Sequence, residues 1–221
     1  MNVQRRRWII GTVIASGTAV LLVFLPLFHV VPLRSSDQSQ QGGRPQTIAA
    51  FEPVAFVNRF WTERLTPGAV DAIDATTLVA AIQQEPKVAR KTHGHSVGLG
   101  NTYYYFMAGT GRVVSVEKNS IGLSLEEGSD HVQVSLEAGN IFGNAVRDGT
   151  GLLDVNNFNN SQDFNAVSSE INRRIETDVL PGLREKGVVG VKLRFVGCTE
   201  ITDESTDLKP LRVVPFIVEK P

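Results

Sequence analysis

Few residues in this chain are of types that do chemistry, and each group is judged by whether its surroundings suit that chemistry. Gly94-His95-Ser96-Val97-Gly98 matches G-x-S-x-G, the pattern that raises a nucleophilic serine on a sharp turn between a buried strand and a helix. Here KVARKT (Lys87 to Thr92) does not read as a buried strand, and Leu99-Gly100-Asn101 does not open a helix. The only later histidine is His131, in a turn-like stretch. Hydrolysis by Ser96 is therefore the least favoured reading. His93 and His95 could supply two metal ligands, but no Cys, His or carboxylate cluster completes the set at a recognisable spacing. Gly98-x-Gly100 and Gly109-x-Gly111 lack the third glycine and the strand–helix setting of a dinucleotide site, and no P-loop is present. The sequence predicts no cofactor, no metal and no catalytic set, hence a protein that is not an enzyme.

Two groups could instead recognise a partner. Tyr103, Tyr104, Tyr105 and Phe106 are consecutive aromatics. On a strand, neighbours point to opposite faces, so one pair is expected in the core. Tyr103 and Tyr105 are then candidates for a stacking surface. Asn156, Asn157, Asn159, Asn160 and Gln162 offer donors and acceptors together, a set suited to sugar hydroxyls. Asparagines also bond their own backbone in loops and caps, and that is the plainer expectation. GNAVRD (Gly143 to Asp148) closely precedes the run, so Arg147 and Asp148 are candidates for the same surface.

The elements that must position these groups follow from periodicity. Phe164, Val167, Ile171, Ile175 and Val179 are three or four apart and predict a central amphipathic helix, capped by Ser161 or Asp163. Pro181 and Gly182 are expected to kink or end it, with Gly187 closing it. Before it, FEPVAFVNRFWTERL (Phe51 to Leu65) predicts one helix, and Asp74 caps a second that carries Leu78, Ala81 and Ile82 up to Pro86. Lys87 to Thr102 reads as a loop. The period then changes to two over Tyr103 to Glu117, Ile121 to Leu125 and Val132 to Leu136, with short turns between. After the central helix come Val189 to Phe195 and Leu211 to Val218. Three strands, a helix and two strands is the order of a five-stranded OB-type barrel.

The fold class expected is thus mainly β with helices: a five-stranded OB-like barrel, an N-terminal helix pair and a single transmembrane helix. The last element is read from Trp8 to Leu33, almost wholly apolar and preceded by Arg5, Arg6 and Arg7. That length spans a bilayer at a helical rise, and the arginines favour a cytoplasmic N-terminus. Residues 1–34 are expected to be an uncleaved signal anchor and 35–50 (SSDQSQQGGRPQT at its heart) a flexible linker. Residues 51–90 form a helical segment packed on the barrel, and 91–221 the barrel itself. Of the 22 Lys and Arg, five precede Ala50; of the 23 Asp and Glu, one does; the exported part therefore carries −5. A mildly acidic domain is a poor polyanion binder, so nucleic acid is a disfavoured partner. The lone cysteine, Cys198, cannot form an intrachain disulfide and reads as a buried small apolar residue.

FEPVAFVNRFW, GTGRVVSVE, GNAVRD, VNNFNNSQDFNAVSSEIN, VKLRFVGCTEI and PLRVVPFIVE follow one another in an order that resembles the bacterial family of predicted periplasmic lipoproteins, domain of unknown function 2291. The resemblance covers Phe51 to about Glu219. Its most specific piece is Val155-Asn156-Asn157-Phe158-Asn159-Asn160-Ser161-Gln162-Asp163-Phe164. It implies an envelope location, an OB-like barrel and frequent neighbourhood with sugar ABC-transporter genes. It carries over no activity and no catalytic residues. The chain departs from the family where a lipid-attachment cysteine would stand; the apolar anchor takes that place. The expected function is a non-enzymatic accessory of sugar uptake by an ABC-type importer. It would sit on the outer face of the cytoplasmic membrane, with importer components or a solute-binding protein as partners. The alternative is an OB-like module binding oligosaccharide or single-stranded nucleic acid.

Overall fold

The computed structural model describes residues 51–98 and 100–221. Helix α1 (Pro53–Phe60) starts on a proline, whose missing N–H costs nothing in a first turn, and runs into a π-helical turn, Trp61–Leu65. Val57, Phe60, Trp61 and Leu65 are its buried side. Strand β1 is only Ile73–Asp74, and Asp74 then caps α2 (Ala75–Gln84) by accepting the Thr77 N–H at 2.8 Å. Helix α3 (Pro86–His93) follows where the sequence predicts a loop. Only Ala89 of its residues is buried, so it offers no apolar stripe to read.

Strand β2 (Tyr103–Val116) is continuous through Gly109-Thr110-Gly111. It is followed by β3 (Ser120–Ser124), β4 (Val134–Glu137) and the short helix α4 (Ala145–Gly149). The central helix is α5 (Ser161–Arg174), a π-helical turn at Ile175–Val179, and α6 (Leu180–Lys186). Strands β5 (Lys192–Ile201) and β6 (Leu211–Glu219) complete the chain. Pro181 does not end the helix; it falls in the first turn of α6, where a proline is tolerated.

The strands form one mixed sheet in the order β1-β2-β3-β4-β6-β5, with β5 also paired to β2. Strand β2 meets β5 along Tyr103 to Arg112 and β3 along Arg112 to Val116. Two pairings are parallel, β1 with β2 and β4 with β6. The expected five-stranded barrel is therefore corrected to a six-stranded mixed sheet. The extra strand, β1, is two residues long and shows no period. The transmembrane helix of the expected architecture falls in residues 1–34, outside the described residues, as does the linker over 35–50. Among the described residues no helix is long and apolar enough to cross a membrane.

Both faces of the sheet are covered where β2 and β5 pair. Tyr103, Tyr105, Met107, Leu193 and Phe195 are fully enclosed, as is Cys198, whose thiol is pushed up by burial. Helix α2 approaches β2 so closely that a Cβ on Gly109 would lie 2.7 Å from the Ala75 Cβ, so only glycine fits there. Helices α1 and α5 pack together, with the Arg174 guanidinium 4.6 Å above the Trp61 ring and bonded to Asn58 Oδ1 at 2.8 Å.

Candidate functional site

The asparagine run enters α5 as part of its scaffold. Asp154 Oδ1 accepts both the backbone N–H and the side-chain Nδ2 of Asn156, each at 2.9 Å. Asn160, not Ser161 or Asp163, is the cap: its Oδ1 accepts the Asp163 N–H at 2.8 Å while its Nδ2 donates to Asp163 Oδ2 at 3.0 Å. The first bond satisfies one free N–H at the helix start, and the second, between the two side chains, holds the cap in place. Phe158 is half-buried against Phe51, Phe56 and Phe164, at ring separations of 5.9, 5.4 and 5.0 Å, and pins the run at its middle. Asn157, Asn159 and Gln162 are exposed and make no side-chain hydrogen bond among the described residues. Asn160→Ala should accordingly cost about 1 kcal/mol of stability, and Asn159→Ala no more than about 0.5 kcal/mol. Thermal melts of the two variants check this; equal losses would remove the distinction between cap and surface.

Arg147 and Asp148 do not lie on the surface. Both are buried, joined by two bonds of 2.7 and 2.8 Å from Nε and Nη2 to the carboxylate. Arg147 also lies 3.9 Å above the Phe164 ring and donates to Asn165 Oδ1 at 3.1 Å. The pair ties α4 to α5 instead of facing a ligand. Tyr103 and Tyr105 are enclosed at 1% and 0% exposure, edge to face at 5.4 Å, so they form no stacking platform. Tyr104, on the opposite face, is buried too, its hydroxyl 3.5 Å from Asp148 Oδ2. Desolvation is the main reason all three phenols are pushed up.

Ser96 is exposed, three residues after the end of α3, and the next element is β2, not a helix. His95 exchanges both backbone hydrogen bonds with Tyr104 and so belongs to the sheet edge. Among the described residues no group of three or more His, Cys, Asp or Glu side chains is placed to hold a metal ion.

A candidate surface that residue types alone did not mark is the loop Gly139-Asn140-Ile141-Phe142-Gly143-Asn144, between β4 and α4. Phe142 is 80% exposed, whereas its neighbour Ile141 is 6% exposed. The backbone on both sides of Phe142 is held by the central helix. Glu176 accepts the Ile141 N–H at 2.6 Å, and Asn172 and Ser168 donate to the Gly143 carbonyl at 3.0 and 3.1 Å. Gly143 sits at φ +80°, in the left-handed region that favours glycine. The doubled Gly-Asn around Ile-Phe is the one signal that could have marked this loop.

A cleft opens on either side of the ridge. The first, about 270 Å³, is lined by Glu137, Asn140, Glu200, Thr202, Asp207 and Arg212 with Phe142 at its edge. The second, about 380 Å³, runs along α5 past Asn144, Asn165, Asn172 and Arg173. In the first, Arg212 bonds to Glu137 at 2.7 Å. Partial burial and the nearby Asp148 carboxylate raise the Glu200 carboxyl, against the pull of the Asn144 N–H. The N–H groups of Asp203 and Thr202 hold the Asp207 carboxyl below its usual range. The two carboxylates are thus tuned in opposite directions.

No curated protein matches this chain. Among solved structures it is similar to an OB-fold protein from Thermotoga maritima, at 24% identity and a TM-score of 0.67, over 77% of this chain and 99% of that one. That likeness speaks to fold alone. The pattern of the family described as "predicted periplasmic lipoprotein (DUF2291)" matches residues 18–219, and the chain belongs to that family.

Proposed function

We propose that the domain is a non-enzymatic recognition protein working outside the cytoplasm as an accessory of sugar uptake by an ABC-type importer. The observation that carries the recognition part of this reading is the clamped ridge at Phe142. The backbone on both sides of the exposed ring is held by hydrogen bonds, so binding there has less backbone freedom left to remove. The periplasmic description of the family suits a protein that meets transport components at the membrane, and the resemblance to proteins encoded beside sugar importers supplies the partner class. Pull-down of the full chain against the cognate importer and its solute-binding protein is the test. Recovery of either at stoichiometric yield is expected; recovery of neither, with both present and folded, would overturn the reading.

A second reading rests on the two clefts. Asn140 on one side and Asn144 and Asn172 on the other offer paired donors and acceptors, and Phe142 an apolar ring face, the mixture that oligosaccharides need. Calorimetric titration of the chain with oligosaccharides separates the two readings, since heat of binding without any protein partner favours this one.

A further inference from the structure

We infer that Phe142 is the anchor of a protein-docking surface, and that its partner presents an apolar pocket rimmed by Lys or Arg side chains. This rests on the recognition reading above and adds the chemistry of the partner.

Three observations carry it. The ring is exposed by design of the loop, not by looseness: Ile141 turns inward and is buried, and Glu176, Asn172 and Ser168 fix the backbone that turns Phe142 outward. Large apolar anchors seated in a partner's pocket dominate the strength of protein interfaces. The ridge also stands between two clefts that share Ile141 and Phe142 in their linings. A small molecule in either cleft meets one side of the ridge, whereas a protein surface straddles it. Finally, the charge beside the ring has one sign left over. Glu137 is paired with Arg212 and Arg173 with Glu170, but Glu200 and Asp207 form no ion pair among the described residues. Two carboxylates beside an exposed ring favour a cationic rim and repel an anionic lipid surface.

The test places p-benzoylphenylalanine at position 142 of the full chain in the producing bacterium. The control carries it at position 70, where Val70 is 86% exposed. Irradiation should give a protein adduct from 142 and not from 70, mapping to an apolar pocket with Lys or Arg at its rim. With that partner purified, Phe142→Ala should bind about 30-fold more weakly, and its melting should be unchanged, since the side chain buries little. Glu200→Lys with Asp207→Lys should weaken binding about tenfold or more, with the loss largest at low salt. Equal adducts at both positions, no adduct, or an adduct to lipid, glycan or a second copy of this chain would overturn the inference. So would a partner pocket without cationic residues, or binding by Phe142→Ala within twofold of the parent. If the partner is a protein unconnected with transport, the docking surface stands and the uptake reading falls. If transport components are recovered equally by Phe142→Ala, uptake stands and the docking surface falls.

Discussion

Asp148→Ala is expected to destabilise the domain by about 3–5 kcal/mol, the cost of leaving one member of a buried ion pair without its partner. Arg147 and Asp148 are 6% and 5% exposed, and two short bonds join them. Removing the carboxylate strands a guanidinium held between the Phe164 ring and Asn165, where water cannot replace the lost acceptor. The same arithmetic predicts that Arg147→Met loses a similar amount, because it strands the carboxylate. The double change Arg147→Met with Asp148→Leu should recover most of the loss, since a well-packed apolar pair avoids both desolvation costs. Denaturant melts of the three variants test this as a cycle. A loss under about 1 kcal/mol for Asp148→Ala would mean that the pair is dispensable to the fold, as a surface recognition role would require.

What the sequence revealed and concealed divides along physical lines. Period is legible wherever one face is buried and the other solvated. Helices α1 and α2, the stripe of α5 and strand β4 are therefore found close to where the residues place them, and β2, β3 and β6 are found there too although they are buried over most of their length. Helix α3 escaped because its sequence, PKVARKTH, buries only Ala89, while Pro86 at its start is also a common loop residue. The tyrosines misled for the opposite reason. Alternation assumes one wet face, but α4 packs so closely on the second face of β2 that a Cβ on Gly149 would meet the Tyr104 Cβ at 3.3 Å. Burial on both faces then removes the pair expected at the surface. The asparagine run was legible as a helix start; which asparagine caps it depends on backbone angles that residue types do not encode. Phe142 was invisible because the exposure of one ring is a property of the hydrogen bonds around it, three of them arriving from a helix more than twenty residues away.

The π-helical turn in the central helix makes the second large prediction. An unbroken α-helix carrying Phe164, Val167, Ile171 and Ile175 inward would bury Val179 next, four residues on. The turn at Ile175–Val179 has i to i+5 bonding and inserts one residue, so the buried position moves to Leu180. Leu180 is fully enclosed, whereas Val179 is half-buried. Leu180→Ala should therefore cost about 2–5 kcal/mol, transfer and cavity together, and Val179→Ala about 1 kcal/mol or less. Urea midpoints with an unchanged slope measure both. The turn matters for the site as well, because it carries Glu176, whose carboxylate accepts the Ile141 N–H beside Phe142. An α-helix continuing in register would place residue 176 at a different angle and release that clamp. If Val179→Ala proves the costlier change, the helix is unbroken in solution, and Glu176 is not the residue that holds the Phe142 ridge.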